Sequence, residues 1–259
     1  MNEKFCPAVI LPTFNNVGTL PGIVQRVAAL KLPIIIVNDG STDGTSALLG
    51  ESASFDAACP ICVITHPKNL GKAAALQTGF AKAIELGCTH AATIDTDGQL
   101  DPEDIPQLLN QSKENPRALI VGARDTARAD YPPRSKIGRN LSNCAIWLAC
   151  RARVSDSQCG LRVYPLQLIK DVYCDTERFG FEAAIITLAA WHGFPIVNVA
   201  VNCRYFPDEQ RVSHFRPWRD SVHGVLLHSR LLFMKLRGTS FRRADRESST
   251  DPGATRPQP

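Results

Sequence analysis

Ile34-Ile35-Ile36-Val37-Asn38-Asp39-Gly40-Ser41-Thr42-Asp43-Gly44-Thr45 is a run of four β-branched residues that stops abruptly at a polar stretch punctuated by two glycines. Successive apolar residues without alternation suit a strand buried on both faces. Asn, Asp, Ser and Gly suit the turn that hands such a strand to a helix. The same unit recurs along the first 125 residues. Apolar runs at 8–11, 62–65, 91–94 and 118–121 alternate with helix-period segments at 19–30, 42–50, 71–86 and 102–113. In the third helical segment Ala73, Leu76, Phe80 and Ile84 return at helical spacing and present one apolar face. This alternation predicts an α/β architecture, a doubly wound and mostly parallel central sheet with flanking helices.

In such a sheet ligands sit beyond the carboxyl ends of the strands. The residues there are polar: Pro12-Thr13-Phe14-Asn15 after the first strand, Asn38 to Ser41 after the second, His66-Pro67-Lys68-Asn69 after the third and Asp95-Thr96-Asp97-Gly98-Gln99 after the fourth. Asp95 and Asp97 are alternate carboxylates straight after a strand, placed to hold a hard divalent cation, Mg2+ or Mn2+, against a diphosphate. Gln99 adds an amide oxygen two residues on, and Asp101-Pro102 then opens a helix with a cap and an N1 proline. A pair used only for capping is the alternative reading of the carboxylates. Asp39 is placed to accept hydrogen bonds from a base or ribose, and the same stretch also reads as an ordinary turn capped by Ser41 or Thr42.

With 259 residues, 44% hydrophobic and 21% charged, the chain is expected to form one large domain at 1–237, with a C-terminal amphipathic helix at 216–237 and a disordered tail at 238–259. The second half is less regular: helices at 136–150 and 181–192, a loop at 155–162 and a short strand at 196–201. The N-terminus lacks the apolar segment of a signal peptide, so a cytoplasmic protein is expected. Nine scattered cysteines imply no disulfide framework, and the single CxxC, Cys59-Pro60-Ile61-Cys62, is read as ordinary thiols. A net charge of +4 does not point to nucleic acid. Between Arg204 and Arg243, however, basic residues outnumber Asp208, Glu209 and Asp220 several-fold, which suits phosphate groups or an anionic membrane surface. No stretch reaches the length of a membrane-spanning helix. The last helix is read equally as interfacial or as a packing helix.

Leu11-Pro12-Thr13-Phe14-Asn15, the run from Val37 to Thr45, Asn69-Leu70-Gly71-Lys72 with Gly79-Phe80, Ile94-Asp95-Thr96-Asp97, Val121-Gly122-Ala123-Arg124 and Cys159-Gly160-Leu161-Arg162-Val163-Tyr164 occur in one order over residues 5–220. Together they resemble the family 2 glycosyltransferases of the dolichyl-phosphate mannose synthase type. The resemblance implies a glycosyltransferase-A fold, with a nucleotide-sugar half at 1–125 and an acceptor half at 126–215. It implies that Pro12, Asp39 and Lys72 line the donor pocket and that Asp95, Asp97 and Gln99 hold the metal. Arg124, helped by Arg134 or Arg139, would meet the acceptor phosphate. Arg211-Val212-Ser213-His214 resembles a segment that closes over the donor, with His214 where the family usually has lysine.

The chemistry so implied is an inverting displacement at the anomeric carbon of a nucleoside-diphosphate sugar, with Lys72, Arg211 and His214 assisting the cation at the leaving group. The acceptor decides whether a base is needed. A phosphate monoester, with a second pKa of about 6, is already ionised near neutral pH, whereas a sugar hydroxyl must lose a proton. Asp156 is the candidate base, and its presence does not discriminate between the two. The absence of a Gln-x-x-Arg-Trp sequence argues against a processive polysaccharide synthase. Arg124, Arg134 and Arg139, with the basic C-terminal end, favour a polyprenyl phosphate at the cytoplasmic face of a membrane. A saccharide acceptor, a non-catalytic nucleotide-binding subunit and a membrane-embedded partner protein stay open at this point. Glu182 is read either as a partner of a helix N-terminus or as an acceptor-site carboxylate, and His192 as structural.

Overall fold

The computed structural model of the protein describes residues 4–50, 60–125, 133–172 and 181–205, except for the side chains of 133–135. Arg211, His214, the side chain of Arg134, the expected helix at 216–237 and the tail at 238–259 lie outside the described residues.

In chain order the elements are β1 (Pro7–Thr13), α1 (Leu20–Ala28), β2 (Ile34–Asn38), α2 (Thr45–Gly50), β3 (Ile61–Thr65), α3 (Lys72–Glu85), β4 (His90–Thr93), α4 (Ile105–Glu114, entered through a single 3-10 turn at Pro102–Asp104), β5 (Leu119–Arg124), α5 (Pro133–Cys150), β6 (Arg162–Pro165), α6 (Leu166–Asp171), α7 (Phe181–Trp191) and β7 (Ile196–Val201). They form a seven-stranded sheet in the order β3-β2-β1-β4-β6-β5-β7. β1 pairs in parallel with β2 and with β4, β2 with β3, and β5 with β7. Among the described strands only β6 runs antiparallel, to β4 on one side and β5 on the other. The sheet is therefore mostly parallel with flanking helices, as expected from the alternation.

The unalternating runs are explained by two cores, one on each face. Ala8, Ile10, Ile35 and Val37 point to the face covered by α3 and α7, where Leu76, Phe80, Ile185 and Ile186 pack. Val9, Leu11, Ile34 and Ile36 point to the other, covered by α1 and α4 through Leu20, Val24, Ile105 and Leu108. Each such side chain is fully buried, and each of the Val, Leu, Ile and Phe side chains gains about 1.5–3 kcal/mol relative to exposure. Gly79 of α3 sits where an added Cβ would overlap Ile10 of β1, so helix and sheet approach as closely as the backbone allows.

The winding places the site. β1, β2 and β3 step outward in one direction and β4 lies on the opposite side of β1, so the carboxyl ends of β1 and β4 flank the point where the strand order reverses, and a crevice opens there. The expected loop at 155–162 ends differently: Arg162 begins β6, a strand the sequence reading did not include, and α6 follows it directly.

Candidate functional site

Thr96 is the pin between the two central strands. Its Oγ1 donates to the Pro12 carbonyl at 3.0 Å and accepts from Asn16 Nδ2 at 2.9 Å, while its own carbonyl accepts from Thr19 Oγ1 at 2.6 Å. Burying Thr96 turns its neighbours Asp95 and Asp97 outward as a half-buried pair. Gly98 follows with φ of 81°, and the Gln99 N–H donates back to Asp97 Oδ1 at 3.0 Å, which tightens the loop. The Gln99 carbonyl accepts the Arg204 N–H at 2.8 Å, so the chain leaving β7 passes along the same loop. Pro12 itself lies inside β1 and is buried; its contribution here is the carbonyl that holds Thr96.

Asp39, at the end of β2, is 3% exposed and already engaged. Its carboxylate faces His66 Nδ1 at 2.8 Å and accepts the backbone N–H groups of Leu70 at 2.9 Å and Gly71 at 2.7 Å. His66 is held from the other side by Thr78 Oγ1 at 3.0 Å. Gly40 makes this possible. It has φ of 68°, and a Cβ there would overlap the backbone of Lys68 and Asn69, so the chain after β3 can lie directly across the end of β2. Three of the roughly four lone-pair positions of the Asp39 carboxylate are thus used to fix the entry of α3, leaving about one for a ligand.

The first residue of that helix, Lys72, reaches both carboxylates that matter. Its Nζ lies 2.5 Å from Asp95 Oδ1 and 2.8 Å from Glu182 Oε1. Burial works against its charge, but Asp95 and Glu182 together hold the ammonium well above the usual lysine range. Burial and then the adjacent Asp95 push the Asp97 carboxyl up to about 6, against the opposing pull of the Gln99 N–H, Lys72 and Arg124. A carboxylate pair whose charges disfavour each other wants positive charge, and its donors are oxygens, the chemistry of a hard divalent cation. Among the described residues no cluster of three or more His, Cys, Asp or Glu is built to hold a metal. A carboxylate pair matches the way magnesium-like ions bind, through one or two protein carboxylates completed by substrate phosphates.

The floor of the site comes from the segment 155–162. Gly160 lies against the Asp95 carboxylate so closely that a Cβ would overlap it. The Gly160 carbonyl accepts Thr93 Oγ1 at 2.9 Å. Arg162 is fully buried and donates to the carbonyls of Cys159 at 2.8 Å, Ser157 at 2.7 Å and Glu182 at 2.7 Å. One guanidinium therefore fixes both this segment and the start of α7, from which Glu182 reaches Lys72.

Arg124 and Asp156 form a second charged pair. Arg124 Nε and Nη2 lie 2.6 and 3.1 Å from the two carboxylate oxygens of Asp156, which also accepts the Gln158 N–H at 3.1 Å. Asp156 is fully buried. A buried carboxylate gripped in this bidentate way orients the guanidinium that it holds. Arg139, in α5, is 7% exposed and its Nη2 donates to Asn140 Oδ1 at 3.2 Å.

A family model described as glycosyl transferase family 2 matches residues 8–170. The chain belongs to glycosyl transferase family 2. Among family 2 relatives, the undecaprenyl-phosphate 4-deoxy-4-formamido-L-arabinose transferase of Aeromonas hydrophila is 29% identical over 180 residues, 67% of this chain and 53% of that one. The polyprenol monophosphomannose synthase of Mycolicibacterium smegmatis is 29% identical over 202 residues, 74% of this chain and 75% of that one. The chain spans about half the length of the arabinose transferases that it matches. The glucosyl-3-phosphoglycerate synthase of Mycobacterium tuberculosis, solved with Mn2+, UDP-glucose and phosphoglyceric acid, superposes with a TM-score of 0.65 at 17% identity. That match covers 88% of this chain and 80% of that one, and it places the fold with the glycosyltransferase-A architecture.

The structure thus brings Asp39, Lys72, Asp95, Asp97 and Gln99 into one contiguous site and adds residues that sequence reasoning missed. His66 was visible only as a polar residue after β3. Gly160 and Arg162 lay inside a quoted motif with no role attached. Glu182 had two readings, and the structure assigns it to Lys72, 110 residues away in sequence.

Proposed function

We propose that the protein is a metal-dependent, inverting glycosyltransferase that moves a sugar from a nucleoside-diphosphate donor to a polyprenyl phosphate, working as a peripheral protein at the inner face of a membrane. The observation that carries this reading is the outward carboxylate pair Asp95 and Asp97, set against Lys72 at the reversal point of a family 2 sheet. Asp95, Asp97 and Gln99 would hold Mg2+ or Mn2+, which supplies charge neutralisation at the departing diphosphate. Lys72, seated by Asp39 through the α3 entry and by Glu182, orients the diphosphate and shares its growing charge. Arg211 and His214 are assigned to the segment that covers the donor. The acceptor phosphate oxygen attacks the anomeric carbon as the bond to the diphosphate breaks, and the nucleoside diphosphate leaves.

The acceptor is argued from the second pair. A phosphate monoester needs no base, and Asp156 is committed to Arg124. The role of Asp156 is then to aim Arg124, which with Arg134 and Arg139 is assigned to the acceptor phosphate. The relatives include proteins named for undecaprenyl-phosphate and polyprenol substrates, which supports a lipid phosphate over a sugar hydroxyl. No helix among the described residues is long and apolar enough to cross a membrane, which suits attachment from the surface.

The test is transfer of label from radiolabelled uridine- and guanosine-diphosphate sugars into the organic phase with polyprenyl phosphate, with Mn2+ and with chelator. Cation-dependent transfer is expected from at least one donor. Absence of transfer across common donors, or transfer undiminished by chelator, overturns the reading.

A further inference from the structure

The helix α5 is built inside out. Its buried side carries Arg139, Ile146 and Ala149, whereas Ile137, Leu141, Trp147 and Leu148 are exposed, by 63%, 67%, 42% and 47%. Cys144 is exposed as well. Positions 137, 141, 144 and 148 follow the i, i+4, i+7, i+11 rule and form one stripe, about 17 Å from end to end. Large apolar residues gathered on an outer face mark a surface that something apolar covers.

The charge around the stripe says what covers it. From Tyr131 to Ser155 the sequence has five basic residues, Arg134, Lys136, Arg139, Arg151 and Arg153, and no carboxylate. Lys136, Arg151 and Arg153 are exposed, and the Arg151 guanidinium lies 4.2 Å from the Trp147 ring centroid. A second copy of this chain would set this cationic face against itself. The C-terminal segment of the chain is also a poor occupant: residues 216–237 contribute five basic side chains, Arg216, Arg219, Arg230, Lys235 and Arg237, against Asp220 alone. An anionic lipid surface satisfies both features, since it takes the apolar stripe below its headgroups and the basic rim among them.

We infer that the outward face of α5, the stripe Ile137, Leu141, Cys144 and Leu148 with Trp147, docks the protein onto an anionic membrane surface. Docking there bears on the acceptor site, because α5 is tied to the segment that holds Asp156. Asn143 Nδ2 donates to the Ser155 carbonyl at 2.9 Å, the Ser157 N–H donates to Asn143 Oδ1 at 3.0 Å, and Ser157 Oγ lies 3.0 Å from Ser142 Oγ. A helix seated in the headgroup layer therefore holds the segment that carries Asp156, and with it the Asp156–Arg124 pair, on the membrane side of the molecule. This consequence for acceptor delivery rests on the proposed function; the docking surface itself does not.

The experiment uses the full chain, co-sedimented with vesicles of phosphatidylglycerol and phosphatidylcholine and with vesicles of phosphatidylcholine alone. Binding is expected to the anionic vesicles, weakened by salt, and to be much lower on the neutral ones. The double variant Leu141→Glu with Leu148→Glu should bind at least about tenfold less. Its melting temperature and its transfer to a short-chain polyprenyl phosphate dispersed in detergent should be unchanged, because both side chains are exposed. Equal vesicle binding by wild type and variant overturns the proposal. So does a wild-type dimer that the variant dissolves while vesicle binding persists, which would give the stripe to a second copy. Vesicle binding lost in the variant while neither protein transfers sugar supports the docking surface and counts only against the proposed activity.

Discussion

Two charged clusters stand at the mouth of the sheet, and they are built on different terms. In the first, Lys72 bridges Asp95 and Glu182, and the Lys72 and Asp95 side chains keep 17% and 27% of their surface exposed. In the second, Arg124 grips Asp156, whose side chain keeps none. The first holds more carboxylate than cation, since Asp95, Asp97 and Glu182 share one ammonium. In the second, a guanidinium faces a fully buried carboxylate. An open cluster short of positive charge suits a metal and a diphosphate, as proposed above, while the second pair holds a guanidinium in a fixed orientation. Under the proposed function the first cluster serves the donor and the second aims Arg124 at the acceptor phosphate, with Asp156 as the residue that sequence reasoning had offered as a base.

The largest effect that can break this distinction comes from Asp97→Asn. Removing one carboxylate from the open cluster should lower transfer by about 10³-fold or more, the scale expected when a group stabilising transition-state charge is lost. The melting temperature should hardly fall, because burial already disfavours the charged form, and the thermal shift on adding Mn2+ should vanish. A variant that keeps both the Mn2+ shift and its activity would remove Asp97 from the metal site. Gly160→Ala tests the same cluster from below. The new methyl overlaps Asp95, and a displacement on the order of 1 Å at a reacting centre costs about 10²-fold. Unchanged turnover with Mn2+ would mean that Asp95 has room to move without consequence.

Asp156→Asn addresses the second pair. Breaking a buried ion pair leaves an uncompensated charge and costs about 3–5 kcal/mol; the Asn isostere and the partly exposed Arg124 place the loss at or below the lower end, about 2–3 kcal/mol. Thermal or urea unfolding would read it. At a temperature where the variant remains folded, its residual rate should keep the wild-type pH profile. Loss of one limb of that profile would instead make Asp156 a base and favour a hydroxyl acceptor.

The open cluster was largely legible in the sequence and the second pair was not. β1 to β5 announced themselves as apolar runs because a sheet covered on both faces needs no alternation, and Asp39, Asp95 and Asp97 follow their strands directly. Strand β6 did not. It has four residues, begins with a charge and ends with a proline, and Arg162 is affordable there only because three carbonyls from two separate segments converge on it. Such convergence is a tertiary property without sequence spacing. The same holds for Asp39 with His66, 27 residues apart, and for Lys72 with Glu182. The pairing of Asp156 with Arg124 was not legible either, because the two lie 32 residues apart, one in a loop and the other at the end of β5.

The smallest prediction sets a baseline away from both clusters. His90 opens β4 at the end of the sheet opposite Asp95, between Thr89 Oγ1 and the Pro116 carbonyl, each 2.9 Å from a ring nitrogen, with the Phe5 ring 4.6 Å away. Burial lowers its pKa, and the hydrogen bond to Pro116 only partly opposes this. With the folded pKa below an unfolded value of about 6.5, the unfolded chain binds the extra proton first, so the contribution to stability is complete above pH 6.5 and is lost as pH falls through it. One proton cannot give a slope above about 1.4 kcal/mol per pH unit. Urea unfolding of the wild type and of His90→Gln between pH 7.5 and 5.5 should show the wild type losing more stability on acidification, with sugar transfer at neutral pH alike in both. Parallel pH dependences would mean that His90 does not titrate differently in the fold. A transfer defect in His90→Gln would show that the far end of β4 is coupled to the carboxylates at its other end, and the open cluster would then depend on the whole strand as well as on the loop that Thr96 pins.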